Sequence, residues 1–109
     1  MIEYLRANWD RSSGIHLSAF ALWRLLWIHP FLDGNGVVAR AFSYGVLCVK
    51  AGGIIPGTPT LPEQIVADRK GYYDALGAAD ESWKRGKLDL SMLEDFIHDA
   101  VRDQTAGTR

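Results

Sequence analysis

His29-Pro30-Phe31-Leu32-Asp33-Gly34-Asn35-Gly36-Val37-Val38-Ala39-Arg40 lies between two strongly apolar runs and decides how both are read. The run before it, Ile15 to Ile28, has the composition of a buried helix. Pro30 stops that helix, because proline disfavours the α conformation of the residue before it. Asp33-Gly34 is a turn dipeptide, and Gly34-Asn35-Gly36 leads straight into a second helical run near Val37. A glycine-bearing turn that opens a helix leaves backbone N–H groups pointing outward beside the positive end of the helix dipole. This predicts an anion site. Asp33 is placed to hold Mg²⁺ on the same phosphates, and Arg40, one turn beyond Gly36, to clamp them. His29 at the rim is suited to taking a proton from a hydroxyl near neutral pH.

The composition narrows the field. A chain of 109 residues with 48% hydrophobic content, four Trp, four Tyr and four Phe suits one small folded domain. The formal net charge is −1 and the Lys and Arg residues are scattered, so nucleic acid is not an expected partner. Cys48 is the only cysteine, which excludes an intrachain disulfide and a cysteine metal site. It reads as apolar filler in a reducing, cytoplasmic compartment, or in a host cytosol if the protein is delivered there. The N-terminus, Met1-Ile2-Glu3-Tyr4-Leu5-Arg6, lacks the apolar run of a secretory signal. Ile15 to Ile28 is too short to span a bilayer and contains His16 and Arg24, so no membrane association is expected.

Elsewhere the spacing predicts helices. Ile2, Leu5 and Trp9 mark a short amphipathic one, followed by the polar connector Asp10 to Gly14. Trp23 and Trp27, four apart, are packing residues of the buried helix. The second central helix runs from Val37 to Lys50 and is closed by Ala51-Gly52-Gly53. Ile54 to Pro62 carries three prolines and reads as an ordered loop. Thr60-Leu61-Pro62-Glu63 then opens a helix with Ile65, Arg69, Tyr72, Tyr73 and Leu76 at helical intervals. Gly77 to Gly86 reads as weaker, with a loop near Trp83. Ser91-Met92-Leu93-Glu94 is a second capping box, opening a helix with the stripe Leu93, Phe96, Ile97, Ala100 and Val101. Residues 103–109 read as a flexible tail. No strand pattern or repeat is present, so the expected fold is an all-α domain of about five helices over residues 1–102.

The order His29-x-Phe31-x-Asp33-Gly34-Asn35-Gly36-Val37-x-x-Arg40 resembles the Fic signature His-x-Phe-x-(Asp/Glu)-Gly-Asn-Gly-Arg-x-x-Arg. Seven fixed positions match, which chance delivers at about 10⁻⁹ per starting point from average residue usage. The resemblance extends to Tyr72-Tyr73-Asp74-Ala75-Leu76, similar to the family's Tyr-Tyr-x-x-Leu, and covers about three quarters of the chain. It implies a helical Fic-like domain with its active-site loop between two central helices. The implied activity is protein adenylyltransfer: AMP moves from ATP to a Ser, Thr or Tyr hydroxyl of a target protein and pyrophosphate leaves. By resemblance His29 is the general base and Asp33 the Mg²⁺ ligand. Gly34, Asn35 and Gly36 form the anion hole, Arg40 clamps the outer phosphates, and the Tyr72–Tyr73 pair borders the nucleotide.

The chain departs from the family pattern twice. Val37 stands where the signature has its first arginine. The lost charge-assisted hydrogen bond is worth roughly 1.5–3 kcal/mol, so affinity would fall by roughly ten- to a hundredfold. Only 28 residues precede His29 and none reads as the family's β-hairpin flap, so either the chain is the C-terminal part of a longer Fic core, or the flap is absent or comes from elsewhere. Exposed apolar surface left by missing elements would favour homo-oligomers. No Ser or Thr is followed four residues later by glutamate, so the family's inhibitory helix is not expected here, and inhibition would come from a partner protein in trans. Two alternatives stay open. One is a Fic variant using another nucleotide or phosphoryl donor, though the Doc branch carries Ala-Asn-Lys where this chain has Gly34-Asn35-Gly36. The other is a degenerate Fic fold acting as a non-catalytic binding or regulatory module.

Overall fold

The computed structural model describes residues 2–28 and 35–106, and every regular element among them is an α-helix. The helices are α1 (Ile2–Asn8), α2 (Gly14–Ile28), α3 (Asn35–Ala51), α4 (Leu61–Ala67), α5 (Arg69–Lys84) and α6 (Ser91–Ala106). The side chains of Trp27, Ile28, Asn35 and Gly36 also fall outside the description, so the expected packing role of Trp27 lies beyond it. The chain divides into two compact units, Met1–Ile54 and Ile55–Arg109.

The first unit is built on α2. Its residues from Leu17 to Trp23 are all buried, as its all-round apolar composition requires. α3 packs against it in the opposite direction: Ser43 Oγ donates to the Ser18 carbonyl at 2.8 Å, while Gly14 lies against Leu47 and Lys50. α1 adds Tyr4, whose ring stacks on Phe20 at 3.8 Å and whose hydroxyl shares a 2.7 Å hydrogen bond with His16 Nε2. Lys50 Nζ donates to the Trp9 carbonyl and sits over the Trp9 ring, fastening the end of α3 to the segment after α1. α3 closes as its glycines predict. Gly52 N–H donates to Val49 O and Gly53 N–H to Cys48 O, with Gly52 at φ 89°, a left-handed turn that a side chain would strain.

The second unit corrects three expectations. Residues 61–84 form two helices, not one helix followed by a loop. Asp68 breaks the run at φ −122°, ψ 68°, and its carboxylate accepts the Gly71 N–H, ending α4 and capping α5. Periodicity cannot see this break, because the apolar interval continues across it. α5 then runs through Gly77 and Trp83 to Lys84, where Gly86 at φ 93° closes it, donating to Trp83 O. Buried Ala75, Ala79 and Ser82 hold this stretch helical against its glycine. Ahead of α6, Asp89 accepts both the hydroxyl and the N–H of Ser91 and is held below the usual carboxylate range by them, the hydroxyl first. The Thr60 box forms as read: Glu63 Oε1 accepts from the Thr60 N–H at 3.1 Å and hydroxyl at 2.8 Å.

The expected tail beyond residue 102 is also helical as far as Ala106. Gln104 explains why. It is fully buried, accepts the Leu61 N–H at 2.9 Å and donates to the Ile55 carbonyl at 3.0 Å, so α6 cannot fray without stranding two backbone groups. The core of this unit is the expected α6 stripe, with Leu93, Ile97 and Ala100 buried against α4 and α5.

Candidate functional site

Six residues, 29–34, connect the end of α2 to the start of α3. The two helices run antiparallel and pack together, so the connection closes the same end of the pair from which α3 departs. His29, Phe31, Asp33 and Gly34 lie outside the described residues. Asn35 and Gly36 are the first two residues of α3, which starts two positions earlier than the expected Val37. The backbone N–H groups of this first turn have no carbonyl four residues back within the helix, and they lie at the positive end of the dipole of a 17-residue helix.

Val37 completes that first turn and is 62% exposed. It does not pack into the core beside buried Ala39, so an arginine there would meet solvent, not hydrocarbon. Arg40, one turn on, is half-buried. Among the described residues no group of three His, Cys, Asp or Glu comes together as a metal cage. A Mg²⁺ ion fits this chain only as the donor set of the motif would hold it, with Asp33 as one carboxylate and substrate phosphates and water as the rest.

The tyrosine pair lies on α5 in the second unit, and its two members face different surroundings. Tyr72 is 3% exposed and its ring packs against Phe96, 6.2 Å between centroids. Tyr73 is 60% exposed, with its ring tilted against that of Tyr72 at 5.5 Å between centroids. What sequence reasoning did not single out is the outer side of α3, where Val38, Phe42 and Val49 are exposed. Their spacing and the lack of nearby charge were the available signal. No described helix is long and apolar enough to cross a membrane.

Comparison with known proteins agrees with the motif. A family model described as the Fic/DOC family matches residues 1–47, which include α1, α2 and all of the motif. A Fido domain-containing protein of Dictyostelium discoideum is 34% identical over 87 residues, covering 80% of this chain. The chain spans 55% of that relative's length. No solved structure matches significantly. Over residues 1–47 the chain therefore matches the Fic/DOC family, with the family's motif region joining two packed antiparallel helices.

Proposed function

We propose that the protein is a Fic-type adenylyltransferase that moves AMP from ATP to a Ser, Thr or Tyr hydroxyl of a target protein. The observation that supports this most is the placement of Asn35-Gly36 at the head of α3, directly after a segment holding His29 and Asp33. His29 takes the hydroxyl proton on an imidazole nitrogen as the oxygen attacks the α-phosphorus. The bond from the α-phosphorus to its bridging oxygen breaks, and pyrophosphate departs. The N–H groups at the head of α3 hold the phosphate oxygens, and Arg40 holds the outer phosphates. Mg²⁺, bound by Asp33, would supply neutralising charge to the α- and β-phosphates. Tyr73, not Tyr72, borders the adenine in this reading, because Tyr72 is committed to core packing.

The test is incubation with Mg²⁺ and ATP labelled at the α- or the γ-phosphate in a cell lysate. Label carried to protein from the α position only supports adenylyl transfer. Label from the γ position only would move the reading to phosphate transfer, and no label from either to a binding module. The exposure of Val37 favours examining other nucleotide donors in the same assay, since the family's first phosphate-binding cation is missing there. In calorimetry with Mg²⁺, Asp33→Ala should lose Mg²⁺-dependent ATP binding; equal affinities would remove Asp33 from the site.

A further inference from the structure

Between Arg24 and Lys50 the sequence has one Lys or Arg, Arg40. The two flanking cations are already engaged. Arg24, on α2, has a partner in the fold. Lys50 donates to the Trp9 carbonyl, about 15 Å along α3 from Arg40. Arg40 itself is half-buried and makes no ion pair among the described residues. A guanidinium taken partly out of water without a carboxylate is stabilised when an anion arrives. Val37, in the first turn of α3, is 62% exposed and brings no charge to that turn.

We infer that this site recognises its nucleotide through the α- and β-phosphates alone, so that ADP serves as a donor alongside ATP. The inference rests on the adenylyl-transfer reading above and defines its donor class as nucleotides with at least a diphosphate. A chain of phosphates needs a counter-charge or hydrogen-bond donor for each group it takes out of water. The N–H groups at the head of α3 receive the phosphate that is transferred. Arg40 receives the next, two nitrogens to two oxygens, the fork geometry in which guanidinium and phosphate match. For a third phosphate α3 has only the exposed Val37 and the water around it. That phosphate gains nothing from the protein and adds nothing to recognition. With ADP, the target hydroxyl oxygen attacks the α-phosphorus and the hydroxyl proton goes to His29. The bond from the α-phosphorus to its bridging oxygen breaks, and that oxygen keeps the electron pair. Inorganic phosphate leaves in place of pyrophosphate.

Calorimetry of the whole chain with Mg²⁺ and AMP, ADP or ATP tests this. Wild type should bind ADP and ATP within about threefold of each other, and AMP about tenfold more weakly. Arg40→Gln should bring ADP down to the level of AMP. Val37→Arg should bind ATP about tenfold tighter than ADP, because it supplies the third phosphate with a partner. Transfer is read separately in a dialysed lysate with α-labelled ADP, glucose and hexokinase, which consume any ATP formed. Labelled protein should appear, and should be lost in His29→Ala. Wild type binding ATP about tenfold tighter than ADP, or label from ATP and none from ADP, would overturn the inference and leave adenylyl transfer standing. No binding of any of the nucleotides, with no label from ADP or ATP, would overturn both. Unchanged ADP affinity in Arg40→Gln, or ADP and ATP bound alike by Val37→Arg, would show that α3 does not count the phosphates and would overturn the inference.

Discussion

α3 and α6 are nearly equal in length, 17 and 16 residues, and each buries one side against helices of its own unit. Their outer sides differ completely. α6 turns Asp95, His98, Asp99, Arg102 and Asp103 outward, with Arg102 3.5 Å from the Asp99 carboxylate. α3 turns out valine, alanine, phenylalanine and glycine. The pattern of α6 is complete once its core and water are accounted for, so its residues are explained by folding alone. The pattern of α3 is not, because its head carries the Fic signature and its flank has no solvent-facing chemistry. Substitutions around the head of α3 should therefore alter activity while leaving stability in place, and substitutions in α6 should do the reverse.

The largest expected effect is that of His29→Ala, which should lower adenylyl transfer by about 10²–10⁴ while the melting temperature stays within a degree or two of wild type. A large stability loss with transfer retained would place His29 with the scaffold. Gln104→Leu is the counterpart on α6. It leaves the Leu61 N–H and the Ile55 carbonyl buried and unpaired, at a cost of about 1–3 kcal/mol for each group. Denaturant unfolding should show this loss, with transfer well below the melting temperature close to wild type. Unchanged stability would mean that water reaches these groups and that α6 ends earlier than Gln104.

Val37→Arg sharpens the comparison on the α3 side. At a position 62% exposed, arginine buries no charge, so stability should hold. ATP should gain affinity over AMP by up to about tenfold, a gain that shrinks with salt because the contact is partly exposed. No selective gain would separate Val37 from the phosphates. The smallest effect belongs to Asp89, before α6. Its folded pKa is lowered by Ser91, so its contribution is present above the ordinary value of 3.8 and is lost as pH falls through the folded value. Asp89→Asn should melt slightly below wild type at neutral pH, and the gap should close in acid. A gap independent of pH would show that the charge on Asp89 is not what holds the start of α6.

The sequence by itself determined whatever rests on near neighbours in the chain. The buried run of α2, the Thr60–Glu63 cap, the glycine end of α3 and the Leu93–Ile97–Ala100 stripe are written in spacings of three to five residues, the reach of helical hydrogen bonds and side-chain contacts. The motif was legible for the same reason, since its chemistry is compressed into twelve consecutive positions. Only tertiary structure decided the rest. Asp68 could have stayed a solvated residue of one long helix, and its carboxylate bond to Gly71 makes it a break. Gln104 looks like tail composition until its amide meets Leu61, 43 residues away, and carries α6 past residue 102. Which tyrosine of Tyr72–Tyr73 is buried was decided in the fold, where the Tyr72 ring packs against Phe96 on another helix. In each case the deciding partner is a group that folding brings near, or a bond that competes with the helix, and spacing along the chain records neither.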